Sequence, residues 1–236
     1  MTLNLMKKYA IIVAGGTGTR MKGDVPKQFM LLNGKPIIQF SMEAFYAFDP
    51  LIQIIIVVHP DFMSYWEKLC FEHKISIPHK VVEGGKTRFD SVKNGLKLID
   101  DDGLVAIHDA ARPLINTGFI EYLFTEAETY GSAIPGLTLT DTIRSIDGDT
   151  SHHLDRTFLR AIQTPQLFKI SELKRAYEQP FQPLFTDDAS VMQAAGFPIH
   201  LSEGRPGNIK ITHSQDIAVA EGLLKFLNLG GTEKQT

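Results

Sequence analysis

The sequence predicts an α/β fold: a mostly parallel, doubly wound sheet carrying an inserted β-arm at about residues 137–162. Three observations lead there. Apolar runs rich in β-branched residues, such as Gln53-Ile54-Ile55-Ile56-Val57-Val58, alternate with segments whose apolar residues recur at helical spacing. These runs are apolar at nearly every position, as expected of parallel strands covered on both faces. From Leu137 the pattern changes to apolar–polar alternation, with Asp147-Gly148 supplying a hairpin turn.

In chain order, Tyr9-Ala10-Ile11-Ile12-Val13 is the first buried strand and runs straight into Ala14-Gly15-Gly16-Thr17-Gly18-Thr19-Arg20-Met21. Asn33-Gly34 marks a turn, and Ile37, Ile38, Phe40, Ala44, Phe45 and Phe48 then follow a helical period. After the strand at 53–58, a helix is expected over 61–73, a short strand over 80–82, and a helix from the Gly84-Gly85 turn through Ile99. The strand at 104–108 ends in Asp109-Ala110-Ala111-Arg112-Pro113, and a helix at 117–130 followed by a strand at 132–135 completes the alternation. The arm returns through Phe158–Ile162. Beyond it come helices at 171–178 and 187–195, a strand at 199–201, an alternation around Lys210 with strand geometry, and a last helix from Ser214 with Asp216 in its first turn. Without a linker, composition break or repeat, the chain reads as a single domain over 1–236, carrying the arm.

Composition removes several function classes. The 24 Lys plus Arg against 27 Asp plus Glu leave a net charge of −3, so no basic field exists to hold nucleic acid and any anion site must be local. A single cysteine, Cys70, allows no internal disulfide and no paired-cysteine metal or redox motif, and it reads as a buried helical thiol. No apolar run approaches the ~18 residues of a membrane span, and the chain reads as cytoplasmic.

The glycine loop behind the first strand has the makings of a phosphate cradle. Glycine lets backbone N–H groups approach an anion closely, and Arg20 and Lys27 bring full charges to the same place. It is not a Walker A loop, because no Gly-Lys-Ser or Gly-Lys-Thr closes it. It is not the dinucleotide fingerprint either, because Met21 stands where the third glycine belongs, which disfavours a nicotinamide-dependent oxidoreductase. A second strand-to-helix junction offers Gly85, Arg88 and Ser91, and Asp109 sits at the carboxyl end of a buried strand, where α/β sheets place ligand chemistry. His108 beside it points to the other strand face and reads as packing. By pattern alone, Arg112 reads as a salt-bridge former, Thr142 as an ordinary strand residue, and Arg156 as a solvated charge.

In the order Ala-Gly-Gly-Thr-Gly-Thr-Arg-Met (14–21), Pro-Lys-Gln (26–28), His-Asp-Ala-Ala-Arg-Pro (108–113), Thr-Pro-Gln (164–166) and Asn-Ile-Lys-Ile-Thr (208–212), the chain resembles the cytidylyltransferases of nonmevalonate isoprenoid synthesis. The resemblance implies a Rossmann-like nucleotidyltransferase fold and a homodimer built through the arm. It implies transfer of CMP from CTP to a methylerythritol phosphate with release of pyrophosphate. It further implies that Ala14, Gly15, Gly16, Gly18, Arg20 and Lys27 bind the triphosphate, and that Gly85, Ser91 and Ala110 contact cytosine and ribose. Asp109, Arg112, Thr142, Arg156, Thr186 and Lys210 would form the acceptor side, Thr142 and Arg156 reaching the neighbouring subunit. Arg20, Lys27 and Lys210 would carry the catalytic charge, and Asp109 would stand at a Mg²⁺ or another divalent cation. The Ala14-Gly15-Gly16 form also occurs in sister pentitol 5-phosphate (ribitol 5-phosphate) cytidylyltransferases, whereas Asp109–Arg112 and Thr186–Ser190 look like the isoprenoid branch; Lys86 stands where the family often has Asp. A non-catalytic nucleotide-binding module is the more distant alternative.

Overall fold

A computed structural model describes residues 6–16 and 25–229, with side chains to 226. Strand β1 (Lys8–Ala14) lies at the centre of an eight-stranded sheet. The turn at Asn33-Gly34 joins the two-residue strands β2 (Leu31–Leu32) and β3 (Lys35–Pro36) and leads into α1 (Ile37–Phe48). Both turn residues have positive φ, 49° and 77°, which suits Asn and Gly. Then follow β4 (Gln53–Val58), α2 (Met63–Glu72), β5 (His79–Glu83), α3 (Arg88–Leu96), β6 (Leu104–Asp109), α4 (Thr117–Tyr130) and β7 (Ser132–Thr138).

The parallel core is as expected. β1 pairs with β4 on one side and β6 on the other, with Val13 opposite both Val57 and Asp109, and β5 extends the sheet beyond β4. Ile11 and Ile12 are both fully buried although they point to opposite faces. One face packs against α1, α2 and α4 through Phe45, Trp66 and Phe124; the other packs α3 together with the later helices. Burying such side chains contributes about 1.5–3 kcal/mol each, so a strand apolar on both faces is fixed in the middle of two cores. Helix α3 comes close to β1 because Gly95 has no side chain: a Cβ there would lie 2.9 Å from Ile11 Cγ2.

The second half departs from the expected pattern in three places. The hairpin of β8 (Ile143–Asp147) and β9 (Thr150–Leu154) stands off as its own two-stranded sheet, whereas both ends of the expected 137–162 arm join the main sheet. β7 continues to Thr138, and β10 (Arg160–Ile162) pairs antiparallel with its Gly136–Thr138 stretch. β11 (Gln166–Lys169) was not anticipated: it runs antiparallel between β6 and β7, so that β7 follows the direction of β6 with a reversed strand between them. Residues 207–212 are not a strand. They form a loop held by Ile211 N–H donating to Ala111 O at 2.9 Å, with Ile211 buried against Leu32, Ile37 and Ala220. Helices α5 (Ile170–Ala176) and α6 (Asp188–Ala194) complete the α3 face, β12 (Leu201–Glu203) pairs parallel with β7, and α7 (Gln215–Leu229) closes the chain.

Candidate active site

After β1 the chain moves outward to β4 and β5, then returns to place β6 on the other side of β1. Sheets of this kind leave a crevice at the carboxyl ends of the strands where the order reverses. A cleft of about 370 Å³ opens there. The first junction contributes Gly15, Gly16, Lys27 and Gln28; the second contributes Gly85, Lys86, Thr87, Arg88 and Ser91; Asp109, Ala110 and Lys210 close the far side, with His59 at the end of β4. Gly18 and Arg20 lie outside the described residues.

Each junction is held by its own short-range bonds. Gln28 is 3% exposed, and its Nε2 donates to Ala14 O at 2.7 Å and Gly16 O at 2.9 Å. Ala14 is itself buried and takes part in the loop through that carbonyl. At the second junction Thr87 caps α3 by a capping box: its Oγ1 accepts from Asp90 N–H at 3.1 Å, and Asp90 Oδ2 accepts from Thr87 N–H at 3.1 Å. Only glycine fits at 85, since a Cβ would fall 2.2 Å from Asp90 Cβ. Ser91, buried on α3, donates to Thr87 O at 2.9 Å and accepts from Gly85 N–H at 3.1 Å. The same oxygen lies 3.0 Å from where a Cβ at Gly15 would stand, so the two glycine junctions meet at Ser91.

The far wall is a chain of alternating charges. Asp109 Oδ2 accepts from Lys210 Nζ at 2.7 Å and its Oδ1 from Arg88 Nε at 3.2 Å. The Arg88 guanidinium also donates to Asp188 Oδ2 at 2.7 Å, and Tyr177 OH donates to Asp188 Oδ1 at 2.6 Å. Burial alone would raise the Asp109 carboxyl, but Arg88 and then Lys210 outweigh it and hold the group well below the usual carboxylate range. Burial likewise pulls Arg88 down, yet Asp188 and then Asp109 keep it charged, well above its ordinary value. His108 faces away from the cleft as expected: its Nε2 lies 3.2 Å from Ser41 Oγ and 3.0 Å from Arg112 O, and burial pushes its pKa down to about 4, leaving it neutral. Thr164 Oγ1 accepts from Asp109 N–H at 3.0 Å, fixing the strand end.

Of the residues read from sequence, the structure gathers Gly15, Gly16, Lys27, Gly85, Ser91, Asp109, Ala110 and Lys210 around one cleft. Arg112, Thr142, Arg156 and Thr186 are not among the described residues lining it. Arg112 donates instead to Asn208 O at 2.8 Å and tethers the loop that carries Lys210. Thr142 and Arg156 are exposed beside the β8–β9 hairpin, where Arg156 donates to Thr140 O. Thr186 is exposed just ahead of α6. Lys210 reaches Asp109 from a loop rather than from a strand. Sequence reading gave no role to Gln28, Asp188, Tyr177 or Thr164, and left Arg88 without one. For Asp188 a signal was present: Asp187 and Ser190 form a capping box, which leaves the second acid of the Asp-Asp pair to face inward. No group of three or more His, Cys, Asp or Glu among the described residues is arranged to hold a metal, and Asp109 is the carboxylate at the cleft.

Residues 8–226 match the IspD family, 2-C-methyl-D-erythritol 4-phosphate cytidylyltransferase. The protein of that name from Bacteroides thetaiotaomicron is 45% identical over 219 residues, spanning 93% of this chain and 100% of its own. Its counterpart from Porphyromonas gingivalis is 42% identical, spanning 92% of this chain and 98% of that one. The solved structure of 2-C-methyl-D-erythritol 4-phosphate cytidylyltransferase from Thermus thermophilus superposes with a TM-score of 0.75 at 28% identity, across 94% of this chain and 100% of that one. That of 4-diphosphocytidyl-2C-methyl-D-erythritol synthase from Anaerococcus prevotii, at 24% identity and a TM-score of 0.79 across 93% and 96% of the two chains, shares the fold.

Proposed function

The chain belongs to the 2-C-methyl-D-erythritol 4-phosphate cytidylyltransferase family, and on that premise we propose that its cleft joins CTP to the acceptor phosphate. The reaction transfers CMP from CTP to 2-C-methyl-D-erythritol 4-phosphate, giving 4-diphosphocytidyl-2-C-methyl-D-erythritol and pyrophosphate. The observation that carries the mechanism is the Lys210–Asp109–Arg88 cluster set across the cleft from the Gly15–Gly16 loop and Lys27.

Both substrates are polyanions, so bringing the acceptor phosphate against the α-phosphate meets strong charge repulsion. Backbone N–H groups of the glycine loop bind the triphosphate, while Lys27 and Lys210 offset the charge that gathers as an acceptor phosphate oxygen attacks the α-phosphorus. A new phosphorus–oxygen bond forms, the bond to the β-phosphate breaks, and pyrophosphate carries off the electron pair. Removing one such cation typically costs a hundredfold or more, about 3 kcal/mol. The attacking oxygen is already ionised, so no general base is required; His108, neutral and turned from the cleft, offers none. Gly85, Ser91 and Ala110 shape the end of the cleft where base and ribose lie in this reading.

Asp109 fits a divalent cation such as Mg²⁺ on the chemistry of its donors. Each of its oxygens accepts from one cation and keeps a further lone pair, and a hard ion bound mainly by phosphate oxygens and water needs a single protein carboxylate. When bound, the ion would supply charge neutralisation at the phosphates.

A homodimer is part of the proposal. Ile146 and Phe158 on and beside the hairpin are 81% and 85% exposed, a surface suited to a second copy. Thr142 and Arg156 would then reach the partner's acceptor side, and Arg112 and Thr186 would act near it. No helix among the described residues is long and apolar enough to cross a membrane, and with two water-borne phosphates as substrates the proposal includes a cytoplasmic location.

The test is a phosphorus NMR assay with protein, CTP, Mg²⁺ and either acceptor. Pyrophosphate and a diphosphate diester should form with 2-C-methyl-D-erythritol 4-phosphate. Turnover with ribitol 5-phosphate alone would overturn the assignment.

A further inference from the structure

We propose that Gln28 is a positioning residue for nucleotide binding, a clasp that sets the glycine loop in its binding shape before CTP arrives. The proposal rests on the cytidylyltransferase reading of the cleft. The side-chain amide of Gln28 is almost fully buried, and its one nitrogen donates to two carbonyls on either side of Gly15: Ala14 O at 2.7 Å and Gly16 O at 2.9 Å. Two acceptors within bonding distance identify that atom as the nitrogen and employ both of its protons.

The consequence follows from peptide geometry. A peptide unit is planar, so fixing the Ala14 carbonyl also fixes the direction of the Gly15 N–H on the opposite edge. Glycine imposes little preference of its own, and a loop of two glycines would otherwise spread over many conformations. Ser91 limits the same loop from the other side, its Oγ standing 3.0 Å from the position a Gly15 Cβ would take. Gln28 also lies in the short turn Lys27–Phe29 and immediately follows Lys27, so the residue that orients the loop amides is covalently tied to the cation beside them. The loop amides and the backbone of Lys27 are thereby held in one frame. Ordering the loop in advance removes an entropic cost that CTP would otherwise meet on binding.

Gln28→Met keeps length and apolar volume but loses both donors; Gln28→Glu keeps the shape and sets a carboxylate against two carbonyl oxygens. Calorimetric titration with CTP and Mg²⁺ should show affinity falling about tenfold or more in the methionine variant and further in the glutamate variant, on the scale of one to two lost hydrogen bonds. The KM for the acceptor should stay within about twofold, a split that a general loss of stability would not produce. CTP affinity within about twofold of wild type in a folded Gln28→Met protein would overturn the role. Should neither variant fold, the wild type still decides: in ¹⁵N NMR the Gln28 side-chain amide protons should exchange slowly, and fast exchange would overturn the clasp. If wild type binds no CTP, the reading of the cleft fails, while the amide exchange reports separately on the clasp.

Discussion

Asp109 is shared by two cations whose loss should have unequal consequences for stability. Lys210 is 41% exposed at its side chain, so its ion pair with Asp109 is screened by water and Lys210→Met should cost less than about 1 kcal/mol of stability. Arg88 is the only cation bonded to Asp188 among the described residues, and Asp188 is 0% exposed. Arg88→Met would leave that carboxylate with a neutral tyrosine donor at 2.6 Å, and stranding one member of a buried ion pair costs about 3–5 kcal/mol. Against a total stability of about 5–15 kcal/mol this is a large fraction, and it should lower the midpoint of thermal unfolding by about 10 °C. Urea unfolding of both variants at neutral pH measures the contrast. The double variant Arg88→Met/Asp188→Asn should regain much of the loss, because the stranded charge is gone. Equal costs for Arg88→Met and Lys210→Met within about 1 kcal/mol, or a double variant that simply adds the two single losses, would refute the argument. Lys210→Met, though folded, should fall about a hundredfold in turnover.

Lys27→Ala should likewise lower kcat about a hundredfold; near-normal turnover would remove Lys27 from the mechanism. Burial pushes the Cys70 thiol up to about 11, so at pH 8 iodoacetamide should modify it about a hundredfold more slowly than an unperturbed thiol, read by mass spectrometry in the folded protein. His108, held to about 4 by burial against 6.5 when unfolded, should make the protein lose stability on acidification. The unfolded chain binds the extra proton in that window, so stability is full above pH 6.5 and falls by on the order of 3 kcal/mol as pH drops to 4. His108→Gln should flatten that part of the profile, and an unchanged profile would mean the histidine is not held neutral.

What the chain revealed before its structure depended on whether the information was local. β1, β4 and β6 were legible because coverage on both faces demands unbroken apolar runs, and the cleft followed from where those runs end in glycine or aspartate. β11 was not legible: four residues after Pro165, beginning with Gln166, look like a loop. Gln166 is buried only because its amide donates to Asp187 Oδ2 and its Oε1 accepts from Ala189 N–H. The Arg88–Asp188 pair spans 100 residues of sequence, beyond the reach of any window, although the capping box at Asp187 hinted at which acid turns inward. Lys210 was found by its motif but set in the wrong backbone, since the alternation of Ile209 and Ile211 comes from packing of Ile211 beside α7 rather than from a strand. Gln28 was quoted within a motif without a role, because its partners are backbone carbonyls that carry no side-chain signature.

In the proposed mechanism the triphosphate of CTP lies between the Gly15–Gly16 loop and the Lys210–Asp109 pair. A crystal structure with CTP and Mg²⁺ tests it most directly. Phosphate oxygens should lie within hydrogen-bond distance of the Gly15 or Gly16 amide and of both Lys27 and Lys210, with Asp109 at the ion. A triphosphate bound outside the cleft at the carboxyl ends of β1 and β6, or one that leaves Lys27 and Lys210 without phosphate contact, would contradict it.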